Sequence, residues 1–247
     1  MSMIEFQNVT FSYEAGKPVL KDLTFAVEKG ESVGLIGANG AGKSTIMKLI
    51  PGLLDSMGRV RVDGISVGKD TAAEVRKKVG FVLQDPDSQM FMPTVLEDMI
   101  FGPMNYGLTK DEAVAKADRI LAEMGLSDLR NRHNHRISGG EKKMAAIATI
   151  LAMEPEAVIM DEPTASLDPY NRRTVINMIR SRSETKLIAS HDLDMILDTC
   201  SRVILISGGV LAADGPAERI LRDRALLEAN RMELPLSYAG RASGPDR

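Results

Sequence analysis

Gly37-Ala38-Asn39-Gly40-Ala41-Gly42-Lys43-Ser44-Thr45 limits this chain more than any other stretch. It fits the pattern G-x-x-x-x-G-K-[ST]. The preceding run, Ser32-Val33-Gly34-Leu35-Ile36, is short and apolar and reads as a buried strand. Ser44 to Ile50 reads as a helix. A strand, a glycine loop and a helix in that order aim backbone N–H groups at a polyphosphate, with the positive end of the helix dipole behind them. In such a loop Lys43 reaches the β- and γ-phosphates and the Ser44 hydroxyl ligates Mg²⁺. Gly37, Asn39, Gly40, Ala41, Gly42 and Thr45 complete the cradle.

The rest of the chain supplies the sheet that such a loop needs. Ile4–Tyr13, Val19–Val27, Ser32–Ile36 and Gly58–Val62 read as strands, with turns at Glu28–Glu31 and Asp63-Gly64. Val79–Leu83 is a further buried strand, ending at Gln84. From Thr94 to Met124 the period turns helical, most clearly over Lys110–Met124, and Gly140–Ala152 is a helix. Strands and helices then alternate through Ala157–Asp161, Pro169–Arg182, Lys186–Ser190, Asp192–Thr199 and Val203–Ser207. This alternation predicts an α/β fold with a mostly parallel sheet and right-handed crossovers. The expected organisation is a single domain, with a helical subdomain at about 85–145 set into an α/β core of 1–84 and 146–222. A short extension, 223–247, follows, and its end, Gly240–Arg247, is expected to be a loose terminus.

Composition excludes several classes. The chain has 247 residues, 44% hydrophobic and 26% charged, with a net charge of −3. That is globular composition without the basic footprint of a nucleic-acid binder. Cys200 is the single cysteine, so no intrachain disulfide forms, and a reducing cytosol is expected. No apolar run approaches the roughly 20 residues that span a bilayer. The first residues lack the basic and apolar segments of a secretory signal.

Two further stretches carry chemistry. Ala157–Asp161 is an apolar strand that runs into Glu162. Beside a phosphate loop the first acid, Asp161, belongs near Mg²⁺. The second, Glu162, can orient or deprotonate an attacking water. Ile137-Ser138-Gly139-Gly140-Glu141 stands at a helix start. It reads as a second anion nest built from a hydroxyl and glycine amides. It reads equally as a capping box, Ser138 to Glu141.

Ile137–Glu141 resembles the LSGGQ signature of ATP-binding-cassette (ABC) ATPases. Gln84 is similar to the Q-loop glutamine of that family, Ser166-Leu167-Asp168 to its D-loop and His191 to its switch histidine. Tyr13 lies where the family has an aromatic that stacks on adenine. The resemblance covers about residues 3 to 222. Val82–Phe91, Val95–Pro103, Ser138–Lys143 and Leu227–Leu236 look like the ATPases of energy-coupling-factor transporters, the cobalt/nickel type above all. Met144 departs from the pattern where an Arg is common, and Ile137 replaces the usual Leu.

The resemblance implies a P-loop NTPase core with an N-terminal antiparallel β subdomain and an inserted helical subdomain. It implies an ATP-hydrolysing subunit of an importer, working at the cytoplasmic face of the cell membrane. Two copies would pack head to tail, with ATP between the phosphate loop of one and Ser138, Gly139 and Gly140 of the other. Glu162, His191, Gln84 and Lys43 would be catalytic. Asp168 would line the nucleotide site, and Ser44, Gln84 and Asp161 would hold Mg²⁺. The implied partners are a transmembrane coupling subunit and a substrate-binding membrane subunit, with no nucleic acid.

Overall fold

Alternating burial opens the chain. In β1 (Ser2–Glu14) and β2 (Lys17–Glu28), which pair antiparallel, Ile4, Phe6, Leu23 and Val27 turn inward. Phe6 stacks on Phe25 with ring centroids 4.6 Å apart. The structure, a computed structural model, describes residues 1–239, so Gly240–Arg247 lies outside the described residues. The chain divides into two units: Met1–Val75 with the chain from Glu184 onward, and Arg76–Ser183.

In the first unit, β1 also pairs with β4 (Met57–Val62), which turns back into β5 (Ile65–Ser66). The strand order is β2-β1-β4-β5, all antiparallel. Asp63 and Gly64 form the two-residue turn with φ of 48° and 77°. Both angles are positive, as the hairpin turn that matches strand twist requires.

The second layer of this unit is built on β3 (Ser32–Ile36). It runs parallel to β8 (Thr185–Ala189) on one side and to β9 (Arg202–Ser207) on the other. A strand flanked on both sides needs apolar residues throughout, and Val33, Leu35 and Ile36 are fully buried. β10 (Val210–Pro216) adds an antiparallel edge to β9, giving the order β10-β9-β3-β8 within this unit. The expected parallel pattern holds for β3, β8 and β9. β10 was not predicted.

Helix α1 (Lys43–Leu49) leaves β3, and α7 (Leu193–Thr199) follows β8. A Cβ on Gly34 would lie 2.5 Å from the Ile196 Cγ2 of α7. Close packing, and not backbone freedom, holds this glycine in place. Gly34→Leu is therefore expected to destabilise the fold by about 1–3 kcal/mol through overpacking, measured as a fall in Tm.

The chain closes with α8 (Ala217–Arg222), α9 (Arg224–Ala229) and α10 (Leu236–Ala239). Asp223 caps α9 by accepting from Leu226 N at 2.9 Å. α9 ends in a Schellman pair: Met232 N donates to Leu227 O and Arg231 N to Glu228 O. Arg231 takes the left-handed position, φ 59°, that glycine or asparagine usually fills. An L-residue there costs roughly 1–2 kcal/mol. Beyond it, Leu236 N and Ser237 N both donate to the Asp194 carboxylate of α7, at 3.0 and 3.1 Å.

α2 (Ala72–Lys78) carries the sequence across to the second unit. There β6 (Val79–Val82) and β7 (Ala157–Asp161) pair in parallel, Val79 opposite Ala157 and Val82 opposite Met160. Four helices accompany them: α3 (Val95–Asn105), α4 (Lys110–Glu123), α5 (Gly139–Leu151) and α6 (Pro169–Ser181). The predicted helical run from Thr94 is two helices, parted at Gly107 with φ 100°. Capping boxes open α3, α4 and α5, at Thr94/Glu97, Thr109/Glu112 and Ser138/Glu141. Buried Asp98 on α3 accepts from Phe91 N, Met92 N and Asn134 Nδ2, pinning the segment that follows β6. Desolvation pushes its carboxyl above the usual range, against those hydrogen bonds.

Candidate functional site

In the first unit the loop stands between β3 and α1, the strand–loop–helix order expected from the sequence. Gly37, φ 150°, ends β3, and a Cβ there would meet Ile206 O at 2.2 Å. Gly40 and Gly42 follow at φ 77° and 108°, and the left-handed Gly42 is the N-cap of α1 with no side-chain bond of its own. The first N–H groups of a helix have no acceptor within it, so a start without a side-chain cap suits an anion. Asn39, Gly40 and Ser44 are exposed on this face, whereas Ala41, Lys43 and Thr45 are buried.

Lys43 is 7% exposed and its ammonium is already oriented. Nζ donates to Gly37 O at 2.6 Å and to Ala38 O at 3.2 Å, and lies 3.4 Å from His191 Nε2. His191 follows β8 and precedes α7, whose N-cap, Asp192, accepts from Met195 N. At the other end of the loop, Tyr13 is exposed, its hydroxyl 3.3 Å from Thr45 Oγ1 and its ring edge-on to Phe11. Three residues predicted far apart in sequence, Tyr13, Lys43 and His191, thus meet one loop.

The second unit gathers the remaining predicted residues. Asp161 ends β7 and is 7% exposed. Glu162 follows in the left-handed region, φ 49°, and Ala165 N turns back onto its carbonyl at 3.2 Å. A non-glycine residue held there is strained, as residues at functional positions often are. Gln84 is exposed just past β6.

Sequence reasoning missed the cation behind them. Lys143, 3% exposed on α5, donates to Leu83 O at 3.0 Å and Gln84 O at 2.8 Å. Desolvation pulls its pKa down to about 8, opposed by the charges of Asp161, Glu162 and Asp85. Met144, standing where the resemblance leads one to expect Arg, is apolar core at 1% exposure. The available signal was position: Lys143 shares the apolar stripe of Ile147 and Leu151.

Ser138, Gly139 and Gly140 form the start of α5, with Ser138 and Gly139 exposed. The capping box is real: Ser138 Oγ accepts from Glu141 N at 3.2 Å, and Glu141 accepts from Ser138 N at 2.7 Å. Hydrogen bonds from the Ser138 amide first, and then its hydroxyl, hold the Glu141 carboxyl below its ordinary range. Asp168 caps α6 and accepts from Tyr170 N, Asn171 N and Asn171 Nδ2. Its carboxyl is likewise held low, through Asn171 first. A Cβ on Gly140 would sit 3.7 Å from Leu167 and Asn171, so two predicted stretches adjoin here.

No helix among the described residues is long and apolar enough to cross a membrane. No group of three or more His, Cys, Asp or Glu side chains able to hold a metal lies among them. Ser44 in the first unit offers a hydroxyl oxygen, and Gln84 and Asp161 in the second offer amide and carboxylate oxygens. Each is a hard donor of the kind Mg²⁺ takes.

Comparison with known proteins follows the same lines. The ABC transporter family matches residues 20–165. An ABC transporter ATP-binding protein of Geobacter sulfurreducens is 44% identical over 239 residues, covering 96% of each chain. The energy-coupling factor transporter ATP-binding protein EcfA of Methanothermobacter thermautotrophicus is 43% identical, over 94% of this chain and 77% of its own. Among solved structures, cbiO1 from Clostridium perfringens, part of the ABC transporter complex cbiONQ, superposes with a TM-score of 0.82. It is 29% identical, over 97% of this chain and 98% of its own. A dimeric ATP-binding cassette in a post-hydrolysis state with ADP and Pi superposes with a TM-score of 0.80. It is 26% identical, over 87% of this chain and 99% of its own.

Proposed function

The chain belongs to the ABC transporter family, and on that footing we propose that it is the ATP-hydrolysing subunit of an importer of the energy-coupling-factor group. Cobalt or nickel ions are the proposed cargo. It works at the cytoplasmic face of the membrane as a head-to-tail homodimer, beside a transmembrane coupling subunit and a substrate-binding membrane subunit. The observation that carries this reading is the Lys43 ammonium, seated on the Gly37 and Ala38 carbonyls and 3.4 Å from His191.

Adenine stacks on Tyr13, and the phosphates lie along residues 39–45. Glu162 takes the proton of the attacking water, and His191 and Gln84 fix the geometry of the water and the γ-phosphate. Ser138, Gly139 and Gly140 of a second copy close over the nucleotide, with Asp168 at the same surface. Ser44, Asp161 and Gln84 would hold Mg²⁺, which when bound would neutralise charge on the phosphates. Phe91 and Phe101, exposed and edge-to-face at 5.1 Å, form the apolar seat for a helix of the membrane partner. ATP turnover by the purified chain is the first test. Co-purification of membrane partners, followed by uptake of Co²⁺, Ni²⁺ and vitamins, decides the cargo. Absence of turnover with and without those partners would remove the enzymatic reading.

Two further results are expected. Lys143→Met should cut turnover by about tenfold or more, the scale of losing one oriented group, while nucleotide affinity stays within about threefold. The methionine keeps the volume but cannot hold the Leu83 and Gln84 carbonyls. A parallel loss of affinity would show that Lys143 serves only folding. Tyr13→Ala should weaken binding modestly, by about 0.5–1.5 kcal/mol of lost stacking, measured by nucleotide titration.

A further inference from the structure

Arg231 is the unusual residue of the C-terminal segment. It occupies the left-handed Schellman position at φ 59°, where its side chain is strained and glycine would not be. Its guanidinium is exposed and has no hydrogen-bond or ion-pair partner among the described residues. The segment around it is fixed: Leu227 and Met232 are buried, and the Asp194 carboxylate holds the amides of Leu236 and Ser237. Strain maintained by so firm an anchorage points to a use for the side chain.

Arg231 lines two clefts. One of about 430 Å³ is lined by Ala38, Asn39, His191 and Arg231, with Asp194 and Glu233 as its acids. The other, about 350 Å³, is lined by Ala38, Asn39, Gly40, Ala41 and Arg231. Arg231 and the front of the phosphate loop are common to both. The direction of a bound nucleotide follows from the loop itself. Tyr13 touches Thr45, so on the reading above, with adenine on Tyr13, the base would lie at that end. The phosphate chain then runs toward the opposite end, Ala38 and Asn39, where His191 meets Lys43. Its last phosphate would then come to the end of the loop whose clefts Arg231 lines.

We propose that Arg231 is a nucleotide-binding residue selective for a terminal γ-phosphate, presented to the phosphate loop by the strained end of α9. The proposal rests on the nucleotide reading above and deepens it. A guanidinium suits the task because it stays charged and donates in a fork matched to phosphate oxygens.

The test compares Arg231→Gly with the wild-type full chain, by titration with ADP and with a non-hydrolysable ATP analogue. Glycine suits the left-handed position, so Tm should not fall. The analogue should bind about tenfold more weakly, the scale of one lost charge-assisted contact, and ADP within about twofold of wild type. Equal weakening of both nucleotides would overturn γ-phosphate selectivity. Wild-type affinity for both would overturn the proposal. If gel filtration then showed analogue-driven dimerisation lost, Arg231 would belong to the contact with a second copy instead. Lys43→Ala is run alongside. If it abolishes binding while Arg231→Gly binds normally, the nucleotide reading stands and only the Arg231 assignment falls. If neither variant changes binding, both fall.

Discussion

ATP turnover by the Glu162→Gln variant is expected to fall by about 10²–10⁴-fold, the range a general base contributes, while ATP still binds. The amide fills the same volume and hydrogen-bonds water, but it cannot take a proton. Backbone strain at φ 49° belongs to the position and is unchanged by the substitution. With hydrolysis blocked, Mg-ATP should hold two copies together, and gel filtration should show a species of twice the monomer mass. Near-normal turnover by this variant would remove Glu162 from the role of base.

The second large effect is expected at Ser138. Ser138→Arg should leave ATP binding to one chain intact and stop both dimer closure and hydrolysis. The residue is exposed at the start of α5, and an arginine there adds bulk and charge where two surfaces must meet around a phosphate. Mixing variants sharpens the test. A heterodimer of Ser138→Arg with Lys43→Ala confines both defects to one composite site and leaves the other whole. It should recover about half of the closure-competent sites, since each site takes one part from each chain. A Ser138→Arg protein that dimerises with ATP and turns over normally would end the head-to-tail reading.

Much of this arrangement could be read from residue order, and the reasons are local. β3, its loop and α1 were legible because an apolar run with buried neighbours on both sides and fixed glycine spacing leave few alternatives. α5 was legible from its cap. β10 was not: Val210-Leu211-Ala212-Ala213-Asp214-Gly215-Pro216 is a largely exposed edge with no alternating pattern. α8 and α9 are short and meet at Asp223, which ends one and caps the other, so neither gives a full helical period. Lys143 escaped because an isolated lysine reads as solvated until the fold supplies two carbonyls around it. Arg231 escaped because its left-handed position carries no sequence mark unless it holds glycine or asparagine.

The capping box at α5 has a consequence for speed. Ser138 Oγ serves its own helix as an acceptor, receiving the Glu141 amide. The hydroxyl proton is not spent in that bond; the Glu141 carboxylate draws it. The amides of Gly139 and Gly140 at the helix start have no acceptor within the helix. On the head-to-tail reading, a phosphate reaching this surface would take that proton over from Glu141, while the helix start that presents it is already folded. Joining two copies would then wait on their approach, their alignment and that one exchange of partner, not on building the helix start.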